Sequence, residues 1–440
     1  LSGLSTTQVV GFVLFDLALI LVVARFVGWV FTRIGQPRVV GEIVAGVLLG
    51  PTLLGPTLWP DFVGPAILDC AASITTAPAG TVPSPTWCLF PAQSRLFLAI
   101  LGQLGLMLFM FLTGLEMDSS MLRGKARAVT LVGLGVVVVP VLAGFVVGPL
   151  LSNSIFRPEG ASELGFTLFV GAMIAVTAFP VMARILQEKG LTTSAMGSIG
   201  VAAAAVCTVA MFVTAAVASS VVAGASSSEI AIKVVLMAGF LVAMFYLVRP
   251  MLVRIGARYR KSDSMSSGYF ALVLIMLLIS ALIAHALGLT VIVGGFVFGI
   301  VLPDRERLFA DMRSRMSELT TVVLLPVFLA FSGLGTDFTQ LSVAALGGLA
   351  VLLVAAVASK WLAGAGFARL GGLTWAEGNV LGILMNCRGL LVLVVAIVGV
   401  SGGVITPVLQ LGAVLIALIT TAMTGPLFDR ASRRLPAETS

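Results

Sequence analysis

Apolar residues run through this chain in long, nearly uninterrupted blocks, with polar residues collected into short connections between them. The blocks fall near 8–32, 39–56, 96–117, 128–151, 163–185, 192–223, 229–253, 267–287, 289–302, 316–336, 341–366, 375–399 and 404–428, and their composition favours helix throughout. A hydrocarbon core of about 30 Å is crossed by about 20 apolar residues in helix, so the pattern predicts about thirteen transmembrane helices. The segments 39–56 and 289–302 are short for a full span and are expected to tilt or dip. Hydrophobic residues make up 59% and charged residues 10% of the chain, which leaves too little polar surface for a soluble globule. The expectation is an all-α polytopic membrane protein, a single integral membrane unit over 1–440.

Basic residues give the orientation. Arg33, Arg123, Arg249, Arg305, Arg369 and Arg430, with the other Lys and Arg around them, fall in alternate connections and the C-terminal tail, whereas the intervening connections hold only Arg95 and Arg157. The positive-inside rule then puts the N-terminus outside and the C-terminus in the cytoplasm, within the cytoplasmic membrane. The net charge of +7 describes a rim facing anionic lipid, so the bilayer is the expected partner and nucleic acid is not. No charged n-region with a cleavage site follows Leu1, and the first helix is expected to act as its own targeting signal. Residues 57–95 form the one long connection, outside the cytoplasm, and it carries Cys70 and Cys88. An oxidising compartment favours a Cys70–Cys88 disulfide, two free thiols being the plainer alternative.

The chain also repeats part of itself. G-E-I-V-A-G-V-L-L-G-P (41–51), followed by L-G-L-M-L-F-M-F-L-T-G-L-E-M-D (104–118), resembles G-G-F-V-F-G-I-V-L-P (294–303), followed by V-V-L-L-P-V-F-L-A-F-S-G-L-G-T-D (322–337). The copies begin seven predicted helices apart and so enter the membrane from opposite sides, as inverted repeats of secondary transporters do. In that register the fifth and twelfth helices correspond, and each carries a mid-span breaker: T-A-F-P (Thr177, Ala178, Phe179, Pro180) and M-N-C-R-G, which includes Asn386, Cys387 and Arg388. Proline removes a backbone donor, and unwound backbone at membrane depth is tolerated only when buried in protein or lining a cavity. The functional centre is therefore expected where the two broken helices cross. A simple kink at Pro180 is the plainer reading.

The segments G-Q-P-R-V-V-G-E-I-V-A-G-V-L-L-G-P (35–51), T-A-F-P-V-M-A-R-I-L (177–186), L-L-P-V-F-L-A-F-S-G-L-G-T-D (324–337) and M-N-C-R-G-L (385–390) resemble the second branch of the monovalent cation/proton antiporter family, in family order across nearly the whole chain. The resemblance implies a sodium/proton antiporter-like fold with two crossed discontinuous helices and, usually, a homodimer. It also implies a mobile core drawn mostly from 96–223 and 316–428, with 1–56 and 229–302 mainly on the scaffold and dimer side. Family members that exchange Na⁺ or K⁺ for protons usually carry one or two aspartates on the sixth helix, where this chain has Cys207 and Thr208. Val392 stands at a frequent family glutamate, and Thr290 where an eighth-helix histidine is common, with His285 nearby.

Cation/proton exchange ordinarily uses a carboxylate that holds either a desolvated cation or a proton. With that group absent, the expectation is a secondary transporter with aspartate-based coupling lost or altered. The alternative is an antiporter fold repurposed as a membrane-embedded enzyme or binding protein for a lipophilic small molecule, and an inactive or regulatory homologue is a third reading. For transport, the substrate would meet Thr177, Ala178, Phe179, Pro180, Cys207, Thr208, Asn386, Cys387, Arg388 and Lys360, and it is left open as a monovalent cation held by carbonyls and hydroxyls alone, a different ion, or an anion or organic solute drawn by Arg388 and Lys360. For an enzyme, His285, Arg388 and Cys387 are the candidate catalytic groups. Intramembrane Arg388 and Lys360 point to function by default, although helix tethering through backbone carbonyls explains them equally well. Arg388 is expected to take carbonyls freed at the T-A-F-P break or the negative ends of the half-helices; Lys360 is left as neutral, snorkelling or facing an anion. Asp16 and Glu42 are expected to be structural. No nucleotide loop and no Cys/His metal spacing is present in the sequence, and no cofactor or metal is expected.

Overall fold

The computed structural model describes residues 4–59, 84–116, 126–178, 182, 185–186, 191, 194–259, 266–302 and 305–433. Its helices are α1 (Thr6–Arg33), α2 (Arg38–Leu49), α3 (Ala92–Leu115), α4 (Ala126–Leu151), α5 (Glu163–Ala175), α6 (Ala195–Val222) and α7 (Ser227–Ala243). A π-helical turn, Met244–Val248, continues α7 into Arg249–Tyr259. There follow α8 (Ser267–Ala286), α9 (Val291–Val301), α10 (Arg305–Glu318), a second π turn at Leu319–Leu324, α11 (Leu325–Leu334), α12 (Val343–Leu370), α13 (Trp375–Met385), α14 (Gly389–Ser401) and α15 (Pro407–Ser432). Among the described residues, nine helices are long and apolar enough to cross a membrane.

Local chemistry sets the ends. Ser5, Ser226 and Thr374 open α1, α7 and α13 with capping boxes, each side chain taking an N3 backbone N–H while Gln8, Glu229 or Glu377 reaches back. The apolar block 163–185 does not form one helix: α5 stops at Ala175, and Val176 turns to an extended conformation. Pro180 has no N–H for the carbonyl of Val176 and its ring would crowd that carbonyl, so a helix cannot run through this point undisturbed. The block 375–399 likewise divides at Asn386–Arg388, and Gly389 at φ 45° restarts the chain. Cys88, in the short helix Pro85–Leu89, is disulfide-bonded; its expected partner Cys70 lies outside the described residues.

The chain divides into two compact units. One comprises residues 1–109 and 316–341. In it α2 lies against α1 at Gly41 and against α11 at Gly46 and Gly333, where a Cβ would run into the backbone of the facing helix. Small residues let helix backbones approach where no water is available to drive packing. The other comprises 110–315 and 342–440 and holds both helix breaks. Its helices also meet at glycines: Gly144 on Gly171 between α4 and α5, and Gly364 on Gly382 between α12 and α13.

Gly46→Val drives a branched side chain into the Ala330 backbone and should lower stability by about 1–3 kcal/mol, as an overpacked core does. Gly347→Ala, whose new methyl meets nothing within 4 Å, should leave it unchanged. Thermal midpoints of the two variants in one detergent check this.

Candidate functional site

Within the second unit the two breaks touch. The N–H of Ala178 donates to the carbonyl of Cys387 at 2.6 Å, and the Thr177 hydroxyl donates to the carbonyl of Met385 at 3.2 Å. Each break thus supplies a partner for backbone that the other leaves open, the condition for unwound chain at membrane depth.

Arg388 is fully buried and binds the end of α5. Its Nη1 donates to the carbonyls of Ile174 and Met173, and Nη2 donates to the carbonyl of Ala356 on α12. The last four carbonyls of a helix have no partner within it, and the helix C-terminus carries a partial negative charge. Arg388 therefore takes the carbonyls freed at the T-A-F-P break. The third of them, Ala175, accepts the Cys207 thiol at 3.1 Å.

Lys360, equally buried on α12, does not snorkel. Its Nζ donates to the Val136 carbonyl at 2.8 Å, the Thr177 hydroxyl at 2.6 Å and the Cys207 sulfur at 3.1 Å. Three N–H groups meet three acceptors, so among the described residues the ammonium is saturated without a carboxylate. Val136 is open because Pro140, inside α4, has no N–H to return to the carbonyl four residues earlier. Reading the sequence for breakers in the fifth and twelfth helices missed this residue. The same reasoning applied to the proline of α4 would have found it.

The remaining nominated residues divide clearly. Asn386 is buried and donates to Val357 and Gly382 carbonyls while its Oδ1 has no partner. Cys387 is a buried free thiol whose backbone carbonyl holds Ala178. Thr208 is buried too, yet its hydroxyl returns to the Ala204 carbonyl of its own helix at 2.9 Å, so Cys207 and not Thr208 reaches Lys360. Val392 is buried and apolar. His285 lies exposed in the last turn of α8 and is not gathered with Arg388 and Cys387. Phe179 and Pro180 lie outside the described residues. Among the described residues, no three His, Cys, Asp or Glu side chains cluster as metal ligands. In the first unit, Glu42 pairs with Arg38 at 3.2 Å, and Asp16 is buried.

Thr177 is the only side chain in this cluster that both receives Lys360 and donates to the other break. Thr177→Val should lower stability by about 1–3 kcal/mol, the penalty of leaving a buried polar partner unpaired, while Thr177→Ser should stay close to wild type. Unfolding in detergent distinguishes the two.

The comparisons with known proteins agree with this architecture. Residues 20–430 match the family model described as sodium/hydrogen exchanger, transmembrane. The chain is 33% identical over 421 residues to the Na(+)/H(+) antiporter NhaS4 of Synechocystis, covering 94% of this chain and 96% of that protein. It is 29% identical to the K(+)/H(+) antiporter 1 of Saccharomyces cerevisiae, covering 94% of this chain but 46% of the yeast protein, so it spans about half the length of that relative. The sodium proton antiporter MjNhaP1 from Methanocaldococcus jannaschii superposes with a TM-score of 0.66 at 15% identity over 97% of both chains, a likeness of fold. With the family model covering nearly the whole chain and the broken helices meeting as described, the protein is an integral membrane protein that belongs to the sodium/hydrogen exchanger family.

Proposed function

We propose that this protein is a secondary transporter that exchanges a monovalent cation for a proton, with Lys360 instead of an aspartate changing charge at the helix crossing. The observation that carries the reading is the saturation of Lys360 by Val136, Thr177 and Cys207, with no carboxylate bonded to it among the described residues. An ammonium group in such a cage occupies the place of a dehydrated monovalent cation. When Lys360 releases its proton and withdraws, two oxygens and a sulfur stand open to an entering ion. The cage then holds one positive charge in either state, which makes the exchange one for one at this site. Aspartate-based coupling is replaced, and the family's architecture is retained.

In this reading 96–223 and 316–428 supply most of the moving core, while 1–56 and 229–302 supply the scaffold and the surface of a homodimer. The inverted sequence repeat supports alternating access. The basic connections support an N-terminus outside and a C-terminus in the cytoplasm. An enzyme site for a lipophilic molecule draws no support from the geometry: Arg388 is engaged by carbonyls, and His285 lies apart from it.

Proteoliposomes with a trapped pH dye test the proposal, with Na⁺, K⁺, Li⁺ and Rb⁺ added in turn. The native protein should dequench with at least one of them, and Lys360→Gln should reduce the rate about tenfold or more. Cys207→Asp, which brings a carboxylate to Lys360, should support exchange, whereas Thr208→Asp should restore nothing to Lys360→Gln. Silence of the native protein with all four cations would overturn the reading.

A further inference from the structure

We propose that Cys207 and Lys360 form a reversible covalent bridge through a single oxygen atom, Sγ–O–Nζ, and that this pair is a redox-sensitive modification site. The sulfur and the amine nitrogen are in direct contact at 3.1 Å, and both side chains are fully buried. Their neighbours hold them face to face. The Thr177 hydroxyl lies 2.6 Å from Nζ and 3.6 Å from Sγ, the Val136 carbonyl restrains the amine, and the Ala175 carbonyl restrains the thiol. Reacting groups fixed in contact react far faster than the same groups free in solution.

The chemistry closes with dioxygen as oxidant. The thiol and the neutral amine each lose one hydrogen and two electrons; dioxygen accepts four electrons, placing one oxygen between sulfur and nitrogen and the other in a molecule of water. Two equivalents of a dithiol return the four electrons and release thiol, amine and a second water. Thiol oxidation through sulfur–oxygen species is ordinary cysteine chemistry, and here an amine is positioned to capture the oxygen. Dioxygen is small, apolar and soluble in hydrocarbon, so burial does not exclude it. Cys387 is a buried free thiol with no amine hydrogen-bonded to it among the described residues, an internal control within the same unit.

A carboxylate at position 207 could not undergo this reaction, so the departure from the family's usual acid creates the site. The bridge removes the ammonium and takes the donor from the Val136 carbonyl, fixing α12 to α6. Its formation goes beyond the transport reading; only its effect on flux rests on that reading.

The test is intact-mass and peptide-level mass spectrometry of the full chain in detergent, air-exposed against anaerobic with dithiothreitol. The expected result is a gain of one oxygen less two hydrogens that joins the Cys207 and Lys360 peptides, vanishes on dithiothreitol treatment, leaves Cys387 unaltered and is absent from Cys207→Ser and Lys360→Arg. Unchanged mass in air, oxygen confined to Cys207 without a link to Lys360, or the same gain in Cys207→Ser would overturn the proposal, and the first two are read on the native chain without any variant. Flux in proteoliposomes is measured beside it. A bridge in a protein that never transports would refute the transport reading alone, while steady transport in air without a bridge would refute the bridge alone.

Discussion

A broken helix inside a bilayer leaves carbonyls that water cannot reach, and the arrangement of the second unit follows from the need to give each of them a donor. The end of α5 opens Met173, Ile174 and Ala175, and Pro140 opens Val136. Arg388, Cys207 and Lys360 are the donors that close them. The reverse requirement holds with equal force. A buried guanidinium or ammonium without acceptors would cost several kcal/mol, so the breaks and the cations are each tolerable only because the other is present.

This mutual dependence explains how Lys360 and Arg388 stay buried while their acceptors among the described residues are carbonyls, a hydroxyl and a sulfur. Oriented backbone dipoles at a helix C-terminus carry the partial negative charge that a carboxylate would otherwise supply. Saturation by neutral acceptors fixes Lys360 geometrically, and it also leaves Cys207 in direct contact with an amine. A carboxylate at position 207 would form an ion pair with Lys360, whereas sulfur forms a weaker contact.

The two compact units use the same means of packing for different ends. In the first, glycines let α2 lie against α1 and α11 around an apolar core that includes Ile20, Leu49 and Phe90. In the second, glycine contacts between α4 and α5 and between α12 and α13 bring the helices that bear Val136, Thr177, Lys360 and Arg388 close enough to exchange hydrogen bonds. Close backbone approach is thus a condition for the polar cluster as well as for stability.

The sequence by itself determined the all-helical membrane class, the family, the two breaks and the buried positions of Lys360 and Arg388, and it set which residues stand at positions 207, 208 and 392. These follow from local rules: apolar length, a missing proline N–H, glycine freedom, and residue identity at motif positions. For Arg388 it offered two partners, the carbonyls freed at the opposite break and the negative ends of the half-helices; the carbonyls it binds lie at the end of α5. Only the tertiary structure decided that Lys360 turns inward to Val136, Thr177 and Cys207, that Thr208 bonds back to its own helix, and that His285 stands apart. Lys360 finds its three acceptors 224, 183 and 153 residues away along the chain. Which of several open acceptors an amine reaches depends on the rotation and depth of helices packed from distant parts of the sequence, and no local pattern encodes that.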